Sequence, residues 1–230
     1  MIDKTKSAFT LSEVLITLVI IGIVAALTIP TAISKYQKQQ YVSGLKKAYS
    51  TLKTVTNQII AEEGTPKASV GGWASSPSAV YNIYKKHLSL TKDCGTGRGC
   101  VDQLSSNGTG ASDGFNSLKT GKPVYNNYEL NSTFYKVILS DGTQLIFDDY
   151  ISPQRNCTHE ELGSSEMCYA FFVDVNGEKG PNTWGKDVYY FALKEDGLYP
   201  GGCDSGVCDK NGSGIPCACR VIRENAINYY

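Results

Sequence analysis

The feature that most limits what this chain can become is the run from Phe9 to Ile29, FTLSEVLITLVIIGIVAALTI, in which Glu13 is the sole charged side chain. As a helix rising about 1.5 Å per residue, it covers about 30 Å, the thickness of the hydrocarbon layer of a bilayer. A secretory signal has a shorter apolar stretch followed by small residues at its cleavage point, whereas here the small residue, Ala8, precedes the stretch. A cut after Ala8 leaves the apolar segment on the mature chain. Lys4 and Lys6 lie ahead of the run, which favours a cytoplasmic N-terminus; Lys35, Lys38, Lys46 and Lys47 lie beyond it and weaken that asymmetry.

The helical pattern continues past the span. Val42, Leu45, Tyr49, Leu52, Val55 or Thr56, and Ile59 recur at three- and four-residue spacing, the mark of one apolar stripe on an amphipathic helix. Gly64-Thr65-Pro66 ends it. Helical from Phe9 to Glu62, the segment is about 80 Å long if straight. Gly22 and Pro30 interrupt its first half, since a proline removes one backbone hydrogen bond.

The remainder reads as mixed and strand-rich. Ser76-Pro77 opens a short helix with Val80, Tyr81, Tyr84 and Leu88 on one face, and a Gly/Ser/Asn-rich loop follows from Cys94 to about Gly121. FYKVILSDGTQLIFDDY holds two β-prone runs about Asp141-Gly142, a strong hairpin signal. CYAFFVDV and DVYYFAL form a second pair around a longer loop. Four antiparallel strands laid on the second half of the helix bury Leu45, Tyr49 and Leu52.

All eight cysteines lie beyond residue 93. They lack C-x2-C spacing, and neither His87 nor His159 supplies a paired ligand, so disulfides in an oxidising compartment are favoured over zinc. Chain order suggests Cys94 with Cys100 and Cys157 with Cys168. Cys217 and Cys219 are poorly placed to join each other and pair with Cys203 and Cys208, in an order the spacing leaves open.

The loop in DVNGEKGPNTWGKD offers oxygens of the kind calcium takes, from Asp174, Asn176, Asn182 and Asp187, with glycines that permit tight turns. It is not an EF-hand, because the regular alternation fails and no Glu closes it. The favoured reading is an ordinary Gly/Asn loop held by Asx hydrogen bonds, with no cofactor; calcium is the second. Enzymatic function is not expected. There is no phosphate-binding G-x-x-x-x-G-K-[ST], no G-x-S-x-G elbow and no H-E-x-x-H, and two histidines leave little for a His-based centre. Asp148 and Asp149 read as charges at a sheet edge. The balance of 22 basic and 22 acidic residues gives no basis for nucleic-acid binding. Tyr125, Tyr128, Tyr135, Tyr189, Tyr190, Tyr229 and Tyr230 are compatible with a sticky surface but more often mark core or subunit contacts.

KSAFTLSEVLITLVIIGIVAALTIP resembles the N-terminal motif of type IV pilins and type II secretion pseudopilins: a basic leader, a small residue, Phe-Thr-Leu-x-Glu and an apolar helix ending at Pro. The resemblance covers roughly the first 30 residues. It departs from the family in having Ala8 where Gly is usual. It implies cleavage between Ala8 and Phe9 by a prepilin peptidase, methylation of the new Phe9 amine, and pairing of Glu13 with the Phe9 amine of a neighbouring subunit. The competing reading has Glu13 snorkelling to the interface. The stretch from Gly22 to Pro30 either unwinds on assembly, as the family suggests, or is an ordinary kink. The implied fold is α+β and pilin-like: a long N-terminal helix, its first half membrane-spanning, packed on an antiparallel sheet with disulfide-stapled loops. The implied parts are a leader (1–8), a transmembrane and filament-core helix (9–30), its amphipathic continuation (31–64) and a strand-rich head (65–230). The implied partners are the peptidase, other subunits, an inner-membrane assembly platform and the bilayer, with the head extracytoplasmic. A membrane-anchored binding or enzymatic domain that does not polymerise is the alternative, and it leaves Glu13 and Ala8 unexplained.

Overall fold

The computed structural model describes residues 10–67, 71–101, 114–123, 134–148, 157, 159–161, 164–177, 179–204 and 206–230. Ala8, Phe9, Tyr125, Tyr128 and Asp149 lie outside the described residues. The chain divides into two compact units, Met1–Gln39 and Gln40–Tyr230.

Helix α1 runs from Leu11 to Glu63, starting two residues later and ending one later than the periodicity suggests. It continues through both Gly22 and Pro30, which therefore do not interrupt it. The missing proline N–H costs a single bond, which a helix this long tolerates. Within the first unit the large apolar side chains from Leu11 to Tyr36 are exposed, and the helix is long and apolar enough to cross a membrane.

The second unit starts from the stripe. Val42, Leu45, Leu52, Val55, Thr56 and Ile59 are buried, Ala48 joins them, and Tyr49 is half-buried against Phe191. The side chains fall on one side because three- and four-residue steps keep returning to the same helix face. Helix α2, Pro77–His87, starts where Ser76 accepts the Ala79 N–H at 3.1 Å, and it buries Val80, Tyr81 and Tyr84. Pro77 fits the first turn because the proline N–H would have no helical partner there.

Among the described residues the sheet has six strands, not four. They are β1 (Leu90–Gly95), β2 (Tyr135–Leu139), β3 (Gln144–Phe147), β6 (Tyr169–Asp174), β7 (Val188–Lys194) and β8 (Gly197–Pro200), in the spatial order β1-β2-β3-β6-β7-β8. Every neighbouring pair is antiparallel. Strands β4 (His159–Glu161) and β5 (Ser164–Met167) form a separate hairpin. The unforeseen strands are the two edges. β1 is largely exposed and irregular in register, so its residues show no apolar alternation; it also takes Cys94 and Gly95 into strand rather than loop.

The β2–β3 turn falls at Asp141-Gly142, as expected. Gly142 takes φ 87°, and Asp141 accepts the Thr143 N–H at 3.1 Å. In β6 and β7, Tyr169, Phe171, Val173, Tyr189, Phe191 and Leu193 face the core shared with α1 and α2. Ala170, Phe172, Val188, Tyr190 and Ala192 belong to a second core with Phe115, Trp184 and Ile215. Burial on both faces explains why these strands are continuously apolar. It also corrects the edge-charge reading of Asp148 and agrees with the core reading of the tyrosines. Asp148 is buried, because β3, which it follows, is an interior strand; Tyr189, Tyr190 and Tyr229 are core residues, and Tyr135 packs against that core. Tyr230 is 37% exposed, its ring 5.6 Å from that of Tyr229.

Four disulfides join Cys94 to Cys100, Cys157 to Cys168, Cys203 to Cys219 and Cys208 to Cys217. The last two are nested, closing the segment between β8 and the short helix α3, Ala218–Glu224.

Candidate functional site

Two places carry chemistry that burial and packing alone do not explain: the first turn of α1 and the loop between β6 and β7. At the first, the Thr10 N–H and the Thr10 hydroxyl both donate to Glu13 Oε2, at 2.8 and 2.7 Å, and the Glu13 N–H donates to Thr10 Oγ1 at 3.2 Å. This is a reciprocal capping box, in which a hydroxyl residue and an acid three positions on satisfy each other's backbone N–H groups at a helix start. The sequence reading missed it, although Thr-x-x-Glu ahead of an apolar run is its signature. Glu13 thus has a structural task within its own subunit, one that engages one of its two carboxylate oxygens.

The loop from Val175 to Asp187 is held at both ends by the ladder. Asp174 pairs with Val188, and the Val175 N–H donates to the Asp187 carbonyl at 2.9 Å, so both aspartates lie at one end of β6 and β7. Asp174 Oδ1 accepts the N–H groups of Asn176 and Gly177, each at 3.1 Å. Asp187 accepts Thr183 N–H at Oδ1, 2.7 Å, and Asn182 N–H at Oδ2, 2.8 Å. The expected Asx bonding is therefore present. Gly177 takes φ 63°, and a Cβ there would lie 2.5 Å from the Gly142 carbonyl, so only glycine lets this loop meet the β2–β3 turn.

The two aspartates are buried, with Asp174 1% and Asp187 0% exposed. Among the described residues, no lysine, arginine or histidine lies within ion-pair distance of either. Burial, then the negative charge of Asp187, pushes the Asp174 carboxyl well above the ordinary range. Burial pushes Asp187 up to about 6, against the lowering pull of the Thr183 and Asn182 N–H groups. Aromatic rings surround the pair. Tyr41 of α1 feels both charges, Tyr189 donates to the Lys186 carbonyl at 2.6 Å, and Tyr229 donates to the Gly185 carbonyl. The Lys186 ammonium instead lies 4.7 Å from the centre of the Tyr230 ring.

Besides the carboxylates, the side-chain oxygens of Asn176 and Asn182 are buried and accept no hydrogen bond among the described residues. Asn176 spends its N–H groups on the Lys179 and Gly180 carbonyls, so its orphaned oxygen is the acceptor end of an amide already oriented by the loop.

Residues 3–29 match the prokaryotic N-terminal methylation motif, the signature shared by type IV pilins and pseudopilins. No curated protein and no solved structure matches the chain. The motif, the apolar helix that follows it and the disulfide-bearing α+β head together fit a membrane-anchored, pilin-like structural subunit.

Proposed function

We propose that this chain is a filament subunit of the type IV pilus or type II secretion class. In this reading, prepilin peptidase cuts between Ala8 and Phe9 and the new Phe9 amine is methylated. The span from Leu11 onward waits in the bilayer, delivered by an inner-membrane assembly platform to a growing filament, with the head on the extracytoplasmic side. The observation that carries it is the match over residues 3–29 leading directly into a helix whose first unit exposes its apolar side chains. Glu13 supplies the assembly contact. A carboxylate in lipid is costly unless it meets a cation, and the Phe9 amine released by cleavage is a cation at similar depth.

Two measurements test this. Intact mass and N-terminal sequencing of membrane-extracted protein should find residues 1–8 lost and a methyl group on Phe9; an intact Met1 in a host with active prepilin peptidase overturns the reading. Glu13→Ala removes both the charge and the capping acid, whereas Glu13→Gln keeps a capping side chain and removes the charge alone. Losing one partner of a desolvated pair typically costs about 3–5 kcal/mol, so both variants should be cleaved, stay in the membrane and fail to enter filaments. Filaments built by Glu13→Gln as efficiently as by wild type would leave Glu13 its capping role only.

A further inference from the structure

We propose that Asn211-Gly212, in the segment closed by the two nested disulfides, is a site of spontaneous covalent modification, where the asparagine is converted to aspartate and isoaspartate as the protein ages. The chemistry needs no enzyme and no co-reactant but water. The Gly212 backbone nitrogen gives its proton to solvent and bonds to Asn211 Cγ; the Cγ–Nδ2 bond breaks, and Nδ2 takes up a proton and leaves as ammonia, closing a five-membered succinimide. Water then opens the ring at either carbonyl. Opening at Cγ gives aspartate. Opening at the main-chain carbonyl gives isoaspartate, in which the chain runs on through Cγ and is one methylene longer. A glycine after the asparagine favours the first step because no Cβ shields the attacking nitrogen.

The sequence holds three Asn-Gly pairs, and folding separates their fates. Asn107-Gly108 lies outside the described residues. Asn176 is tied twice through Nδ2, to the Lys179 and Gly180 carbonyls, its Oδ1 is buried, and the Gly177 N–H donates to Asp174 Oδ1 at 3.1 Å, so both reacting groups are held. Asn211 is the opposite case. It is exposed, in a turn, and among the described residues its side-chain amide makes no hydrogen bond. Only turn bonds restrain its backbone: the Asn211 N–H donates to Asp209 Oδ1 at 2.7 Å, and the Gly212 N–H donates to the Asp209 carbonyl at 3.1 Å. Opening the second of these frees the nucleophile, and the Asn211 amide already stands in water.

The two products act differently on the fold. Aspartate adds a negative charge close to Asp209 and leaves the backbone as it was. Isoaspartate lengthens the chain just ahead of a tightly seated segment. The Ser213 carbonyl accepts the Leu118 N–H at 2.8 Å, and Gly214 takes φ 89° with so little room that a Cβ would lie 2.1 Å from the Trp184 carbonyl. Buried Ile215 follows. The Cys208–Cys217 disulfide fixes both flanks of this stretch, so an extra methylene inside it is taken up at the Leu118–Ser213 bond. The loop thereby becomes a one-way record of the molecule's age, an inference that stands apart from the filament reading.

The experiment ages full-length protein, folded in detergent micelles with its disulfides intact, beside a synthetic peptide of residues 209–215 whose conversion sets the clock. When the peptide is half converted, peptide mapping and enzymatic methylation of isoaspartate should find Asn211 of the protein substantially converted and Asn176 converted at least tenfold more slowly, a difference of about 1.4 kcal/mol in barrier. Gly212→Ala should slow the reaction at Asn211 at least tenfold. A Cβ there would lie 3.2 Å from the carbonyl of exposed Val207, an approach that a small shift of that loop relieves, so the variant tests the chemistry and not the fold. Hydrogen exchange separates the two products: the Leu118 amide should exchange at least tenfold faster in the isoaspartate form, and at the wild-type rate in Asn211→Asp, which carries the charge alone. Asn211 intact in the folded protein when the peptide is half converted overturns the proposal. So does conversion of Asn176 as fast as Asn211, conversion in Gly212→Ala at the wild-type rate, or an unchanged Leu118 amide in the isoaspartate form.

Discussion

Tyr84 of α2 and Thr56 of α1 offer a sharp test of how the head is held to its helix. Both side chains are fully buried, and their oxygens lie 2.6 Å apart. Thr56 also lies 2.7 Å from the Leu52 carbonyl, and since a threonine hydroxyl has one proton, the order runs Tyr84 O–H to Thr56 Oγ1 and Thr56 O–H to Leu52. The phenol has no route to water. Trp73, Phe147 and Phe171 pack around its ring, and burial pushes its ionisation well above the ordinary tyrosine range. Thr56→Val therefore strands a buried donor, which costs about 1–3 kcal/mol. Tyr84→Phe strands nothing, because Thr56 still donates to Leu52, and it costs the net worth of one hydrogen bond, about 0.5–1.5 kcal/mol. The double variant replaces the pair with apolar groups of similar shape and relieves the stranded donor. Thr56→Val with Tyr84→Phe should thus be more stable than Thr56→Val alone. For a chain of this size, about 1 kcal/mol moves the midpoint by roughly 2–4 °C, so the rescue is readable in a melt followed by near-ultraviolet circular dichroism. The assay is the four-member cycle on full-length protein in micelles with disulfides intact. Additive losses, with the double variant the least stable of the four, would refute the assigned direction of the bonds.

Leu45 is fully buried at the centre of the α1 stripe, so Leu45→Ala should destabilise the head by about 2–5 kcal/mol in the same melt, while leaving membrane extraction unchanged. Ser76→Ala removes the N-cap of α2 and should cost about 1 kcal/mol, lowering the midpoint by a few degrees; Ser76→Asp, which keeps an acceptor, should not. Peptide mapping without reductant should recover Cys203 with Cys219 and Cys208 with Cys217, and a parallel pairing of 203 with 217 and 208 with 219 would contradict the nested arrangement.

The sequence by itself determined what depends on near neighbours along the chain. The apolar span is a matter of length and composition. The α1 stripe from Val42 to Ile59 follows from the period of a helix, and the Asp141-Gly142 hairpin from one residue pair's tolerance of an unusual backbone. The start of α2 at Ser76-Pro77 is equally local, as is the capping box at Thr10 and Glu13, which was legible although the reading passed over it. Tertiary structure alone decided where the cost of a group depends on what a distant segment brings to it. The edge strands β1 and β8 exist because β2 and β7 present ladders to pair with, not because their own residues alternate. Tyr190 of β7 is buried because a second layer containing Phe115, Trp184 and Ile215 closes the far face of the sheet, and no local pattern announces that layer. In the same way, Asp174, Asn176, Asn182 and Asp187 are ordinary turn residues in sequence. Their chemical interest begins when folding takes away water and, among the described residues, brings no cationic side chain within ion-pair distance and no donor to two amide oxygens, because the free energy of a polar atom is set by its surroundings rather than by its place in the chain.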